Sequence, residues 1–92
     1  MKLPIASVRS KVPGFLLARY FRKVHGVTAV ELHGLETEWG IDITFYGKRF
    51  YIDRQLGEVQ IFASSDECTP EDIERVRSVA DGIPRNIFAA IF

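Results

Sequence analysis

Between Trp39 and Ala63 apolar and other side chains alternate almost one for one. Trp39, Ile41, Ile43 and Phe45 are interleaved with Gly40, Asp42, Thr44 and Tyr46. The alternation resumes after Gly47-Lys48 with Phe50 and Ile52 against Arg49, Tyr51 and Asp53. It recurs as Val59 and Ile61 against Glu58, Gln60 and Phe62. A period of two sends successive side chains to opposite faces of a strand. The pattern therefore predicts a sheet with one apolar and one chemically mixed face, built from strands at 27–34, 39–46, 49–54 and 58–63.

Short links between these strands imply an antiparallel meander. Gly47-Lys48 fits a two-residue hairpin with Gly first, the type II′ preference. That turn pairs Phe45 with Phe50, Ile43 with Ile52, and Ile41 with Arg54. A loop at Arg54–Gly57 sets Ile52 beside Val59 and Phe50 beside Ile61. A loop at Leu35–Glu38 sets Leu32 beside Ile41 and Val30 beside Ile43.

On either side of the strands the period changes to that of a helix. From Pro13 to His25, Leu17, Tyr20, Phe21 and Val24 share one stripe, and Arg19, Arg22 and Lys23 share the opposite one. Pro13 suits the start and Gly26 the end. Thr69-Pro70-Glu71-Asp72 announces a second helix: a capping hydroxyl, a proline for the first turn, and two acids at the positive end of the dipole. Its apolar stripe is Ile73, Val76, Val79, Ala80 and Ile83, with Glu71 and Arg75 as an i,i+4 pair. Gly82 and Pro84 end it, and Ile87–Phe92 reads as a short apolar C-terminal helix. The predicted fold is α+β: helix, four-stranded antiparallel meander, helix and short terminal helix, with both long helices on the face carrying Trp39, Ile41, Ile43, Phe45, Phe50, Ile52, Val59 and Ile61. Residues 1–92 form a single domain, and residues 1–12, interrupted by Pro4, read as an extended basic arm.

A chain of 92 residues buries only roughly 60–65% of its unfolded surface. Its 47% hydrophobic and 26% charged content is that of a globular protein. A lone cysteine, Cys68, excludes an internal disulfide and a multi-cysteine zinc site, and a reducing cytoplasm is the expected location. Asp66, Glu67, Glu71 and Asp72 surround Cys68 and oppose thiolate formation, so it reads as structural. No apolar run reaches the roughly 18–20 residues of a membrane span, and Phe15–Ala18 is too short for a signal peptide. Residues 1–25 have a presequence-like composition but are expected to be retained.

The zero net charge hides an asymmetry. Residues 1–25 hold Lys2, Arg9, Lys11, Arg19, Arg22 and Lys23 and no acid, a formal +6 against −6 for the rest. Such segregation points to charged contacts within or between molecules.

With the registers above, the outer sheet face has three rows: Val27, Tyr46, Arg49 and Phe62; Ala29, Thr44, Tyr51 and Gln60; and Glu31, Asp42, Asp53 and Glu58. Four carboxylates abreast oppose folding by ~0.2–1 kcal/mol per adjacent pair. The row reads as a solvated face, as a dock for a basic protein surface or a second copy of the chain, or as a perch for a divalent ion. Strands ~4.8 Å apart let one ion reach only two of the carboxylates, and no metal or cofactor is assigned. His33 falls near the row, where a His–carboxylate pair is available. Tyr46, Arg49, Tyr51 and Phe62 resemble a base-stacking platform in composition, but the acids beside them repel phosphate. No phosphate loop, dinucleotide fingerprint, nucleophile elbow, HExxH or EF-hand is present, so no catalytic residue is named.

The functional expectation is a noncatalytic cytosolic interaction module. Its site is the outer face: Tyr46, Arg49, Tyr51, Phe62, Glu31, Asp42, Asp53 and Glu58. The alternative is a nucleic-acid-associated protein using the basic arm and the Arg19, Arg22, Lys23 patch, and a third reading is a small enzyme or ligand binder on the acidic face.

Overall fold

A computed structural model describes residues 3–35, 38–64 and 68–91. Along the chain run β1 (Ala6–Arg9), α1 (Gly14–Arg22), β2 (Val27–Leu35), β3 (Glu38–Phe45), β4 (Lys48–Gln55), β5 (Glu58–Ala63), α2 (Pro70–Asp81) and α3 (Ile87–Ile91). The fold is α+β, with an antiparallel sheet ordered β1-β5-β4-β3-β2. The four expected strands are present, and part of the arm supplies a fifth. Ala6 lies opposite Ile61 and Val8 opposite Val59, while the Ile5 amide donates to the Ile61 carbonyl at 2.7 Å. Pairing buries Val8 in the core, which explains why an arm bracketed by prolines still becomes an edge strand.

All eight residues expected on the apolar face are buried. Their neighbours differ from expectation in two of the three hairpins. Phe45 pairs with Lys48, Ile43 with Phe50, and Ile41 with Ile52, so the turn is Tyr46-Gly47. In the next hairpin Gln55 pairs with Glu58, Arg54 with Val59, and Ile52 with Ile61, leaving Leu56-Gly57 as the turn. Both turns place two residues at positive φ: Tyr46 at 49° and Gly47 at 78°, Leu56 at 53° and Gly57 at 80°. This is the type I′ geometry whose twist suits a two-residue hairpin, not the type II′ turn or the four-residue loop expected. The Leu35–Glu38 hairpin has the expected register, with Val30 opposite Ile43 and Leu32 opposite Ile41.

Placing a tyrosine in the left-handed region costs roughly 1–2 kcal/mol, and Tyr46 has offsetting contacts. Its amide donates to the Gly26 carbonyl at 2.9 Å. Its ring meets Phe45 edge-on with centroids 4.8 Å apart, and the Arg75 guanidinium lies 4.5 Å from the ring centroid. The register also turns Lys48 toward the helical side, where Nζ donates to Asp72 Oδ2 at 2.5 Å.

Both long helices cover the apolar face: α1 packs over β2 and β3, and α2 over β1. Leu17 and Phe21 from α1, Val76 and Ala80 from α2, and Ile83 just beyond it fill the core. The Tyr20 hydroxyl joins the helices by donating to the Val79 carbonyl at 2.7 Å, and burial raises its phenol pKa. α1 ends at Arg22, three residues before the expected His25. α2 begins as expected: Thr69 and Asp72 form a reciprocal capping box with Pro70 in the first turn, and Arg75 reaches Glu71 at 3.0 Å. The Asp72 carboxyl is held down at about 2. The Lys48 hydrogen bond is the largest cause and the Thr69 backbone N–H the next, with desolvation opposing both. The terminal apolar helix is present as α3. Phe92 lies outside the described residues.

Candidate functional site

The outer face is assembled from one residue in two along each strand, so register decides which groups meet. Observed pairings give a row Ala29, Thr44, Arg49; a row Glu31, Asp42, Tyr51, Phe62; a row His33, Gly40, Asp53, Gln60, Ser7; and a row Gln55, Glu58, Arg9. The predicted four-carboxylate row does not exist. Glu31 and Asp42 remain cross-strand neighbours, Asp53 moves one row along, and Glu58 sits opposite Arg9. The correction has one physical source. Both hairpins close through a two-residue type I′ turn in place of the predicted one: the first turn starts one residue earlier at the same length, and the second has two residues instead of four. Either change slides every partner by two positions while leaving each side chain on its own face.

Two other expected members of the face lie elsewhere. A bulge between Val27 and Ala29 puts Val27 opposite Phe45, where it packs against the core. Tyr46 sits in the hairpin turn, its ring near Gly26, His25 and Arg75. The aromatic pair left on the outer face is Tyr51 and Phe62, directly opposite each other, with Arg49 exposed nearby.

Gly40 gives this face its shape. With no side chain between His33 and Asp53, the sheet surface dips, and Tyr51 leans across the gap. A Cβ at Gly40 would stand 2.4 Å from the Tyr51 hydroxyl and 2.8 Å from its ring. The resulting hollow of about 370 Å³ is lined by His33, Gly34, Glu38, Trp39, Gly40, Tyr51, Asp53, Arg54 and Gln55. Sequence reasoning missed the hollow. The available signal was a lone glycine at an outward position of a strand, which marks close approach by another group.

Two carboxylates, Glu38 and Asp53, line the hollow together with the Arg54 guanidinium, which donates to the Val12 carbonyl. The Tyr51 phenol pKa is raised by desolvation first, then by the negative charges of Asp53 and Asp42. Asp53 Oδ2 accepts from Gln55 Nε2 at 3.3 Å, whereas Asp53 Oδ1 is buried with no partner among the described residues. The expected His–carboxylate pair is formed, His33 Nε2 donating to Asp42 Oδ2 at 2.7 Å, with Glu31 Oε2 3.9 Å away. These three side chains offer donors within 4.8 Å of one another. The His33–Asp42 hydrogen bond and the cross-strand pairing of Glu31 with Asp42 account for the grouping, and no ion is assigned to it.

The basic elements are not gathered into one surface. Arg19, Arg22 and Lys23 are exposed on α1, Arg9 lies on the outer face beside Glu58, and Lys11 borders a separate groove with Phe15, Leu32 and Trp39. Lys2 lies outside the described residues. Cys68 is half-buried, and its thiol is pushed up by desolvation first and by Asp72 second, against an opposing effect of Lys48. That suits a structural thiol. Asp66 and Glu67 lie outside the described residues. Among the described residues no helix is long and apolar enough to cross a membrane. Comparison with protein-family models, curated proteins and solved structures found no match.

Proposed function

We propose that the protein is a noncatalytic cytosolic interaction module whose outer sheet face receives a basic segment of a partner protein. One observation carries this reading: the hollow above Gly40, walled by Tyr51 and Asp53, with Asp42 adjoining Tyr51. A lysine or arginine side chain entering it would run its stem along the tyrosine ring and set its charge near both carboxylates. Glu31 and Glu38 extend the negative surface around the entry, which favours encounter with cations and discourages anions. An unpaired buried acceptor costs about 1–3 kcal/mol, and a donor brought by the partner would offset that cost at Asp53 Oδ1. The His33 side chain is engaged by Asp42 and lies near Glu31, which suits a charged binding surface.

Titrating labelled protein with lysine- and arginine-rich peptides, followed by amide chemical shifts, tests the proposal. Shifts should centre on Gly40, Tyr51 and Asp53, weaken with salt, and lose affinity roughly tenfold when Asp42→Asn and Asp53→Asn are combined, two charges near a desolvated site being worth about 1.4 kcal/mol together. Unmoved Gly40 and Tyr51 signals, or full affinity in the double variant, would defeat it.

A further inference from the structure

On the helical side of the molecule, away from the outer sheet face, exposed apolar side chains of α3 adjoin a groove bordered by cations. α3 carries no charge, and its Ile87, Phe88 and Ile91 are 44%, 71% and 55% exposed. The short helix is held in place. Asn86 Oδ1 accepts from the Ala89 amide at 2.9 Å, and Ala90 packs against the core. α3 touches α1, and the two share a groove of about 620 Å³ with Leu16 and Ile83 in its lining. Arg19, Lys23 and Arg85 border that groove, and among the described residues no acidic side chain lines it.

We propose that this α1–α3 side docks the protein on an anionic lipid surface. Ile87, Phe88 and Ile91 would enter the boundary between headgroups and acyl chains, while Arg19, Lys23 and Arg85 meet the lipid phosphates. Each half of the surface is weak alone, and stable attachment of a peripheral protein takes two such signals together. Nucleic acid would satisfy the cations, but its affinity comes mainly from many phosphate contacts, and this surface offers three cations beside three exposed apolar side chains. A second copy of the chain would cover the apolar residues but, across a two-fold axis at α3, would bring both sets of cations together. A bilayer with anionic headgroups matches both features. The proposal is independent of the outer-face reading, since the two surfaces share no residue.

Co-sedimentation of the full chain with vesicles of phosphatidylcholine alone and of phosphatidylcholine mixed with phosphatidylglycerol tests it. Each cation near an anionic surface multiplies affinity roughly fivefold, so the mixed vesicles should bind roughly 100-fold more tightly than the neutral ones. Arg19→Glu with Lys23→Glu should remove that preference. Phe88→Glu should weaken binding to mixed vesicles at least about tenfold, since it deletes the largest inserted side chain and adds a repelled charge. Both changes are at exposed positions, and unchanged melting curves establish that the variants fold. Equal binding to the two vesicle types, no binding to either, or wild-type binding by Phe88→Glu would overturn the proposal. So would a concentration-dependent dimer, abolished by Phe88→Glu, in a chain that ignores vesicles: α3 would then be a contact between copies.

Discussion

The two faces of the sheet come from the same alternating segment, yet they respond very differently to a slide in register. On the inner face, replacing the expected Phe45–Phe50 neighbours by Ile43–Phe50 exchanges one apolar contact for another, and every side chain stays buried. On the outer face the slide in the first hairpin separates Asp53 from Asp42's row, and the slide in the second sets Glu58 opposite Gln55 instead of Asp53. Apolar burial depends on area removed from water and little on which neighbour removes it. Charge, hydrogen bonding and recognition depend on neighbours within a few ångströms. Inner positions should therefore govern stability, and outer positions binding.

Substitutions can break that contrast. The largest effect should follow Phe50→Ala, which empties a fully buried inner site and costs about 3–5 kcal/mol, measured by urea unfolding. Thr69→Ala should cost about 1 kcal/mol by removing the hydroxyl that accepts from the Asp72 amide. Asp72 joins a helix cap to the inner-face Lys48, and its effect is readable by pH. Its folded pKa of about 2 lies below the ordinary 3.8, so the unfolded chain binds more protons between those values. The stability it contributes is fully present above about pH 4 and is lost as pH falls toward 2. Asp72→Asn should destabilise the protein at neutral pH and flatten that acid limb in melting temperatures taken across the range.

The two turns give an effect of opposite sign. Tyr46 and Leu56 adopt the same left-handed conformation, but Leu56 is 98% exposed and gains nothing for it. Leu56→Asn, the residue type I′ turns favour, should raise stability by about 0.5–1 kcal/mol. The corresponding Tyr46→Asn should lower it, because the ring contacts with Phe45 and Arg75 are lost.

Smallest in stability, and most informative about the outer face, are changes around the hollow. Asp42→Asn and Asp53→Asn should each move stability by less than about 0.5 kcal/mol. They should also lower the Tyr51 phenol pKa toward 10.0 without fully restoring it, since desolvation is the larger cause. Ultraviolet titration of the phenol reads this directly. Gly40→Ala should keep the fold while displacing the Tyr51 ring, because the atoms it would strike are the far end of a movable side chain. A large loss of stability from any of these three would mean that the outer face also holds the fold together.

Much of this architecture was legible in the chain. Residue alternation assigned Ile41, Ile43, Ile52, Val59 and Ile61 to the core, and Thr69-Pro70 with Asp72 marked the start of α2, because these signals act through the backbone over a few residues. Strand β1 was not legible. Ala6–Arg9 is too short and too close to prolines to stand out, and it becomes a strand only because β5 offers a free edge beside a core that Val8 completes. The turns at Tyr46-Gly47 and Leu56-Gly57 were also hidden. A left-handed tyrosine is locally unfavourable, and beyond its neighbour Phe45 it is held by Gly26 and Arg75, which come from distant places in the chain.

The sequence by itself determined which side chains face inward and which face outward, since a period of two is a local property of extended backbone. Only the tertiary structure decided which outward groups are neighbours. That choice rests on turn geometry and on distant contacts such as Lys48 with Asp72, whose energies enter only once the strands and helices have come together. The hollow above Gly40 exists for this reason: Tyr51 and Asp53 reach it from a strand whose register was set at the opposite end of the hairpin.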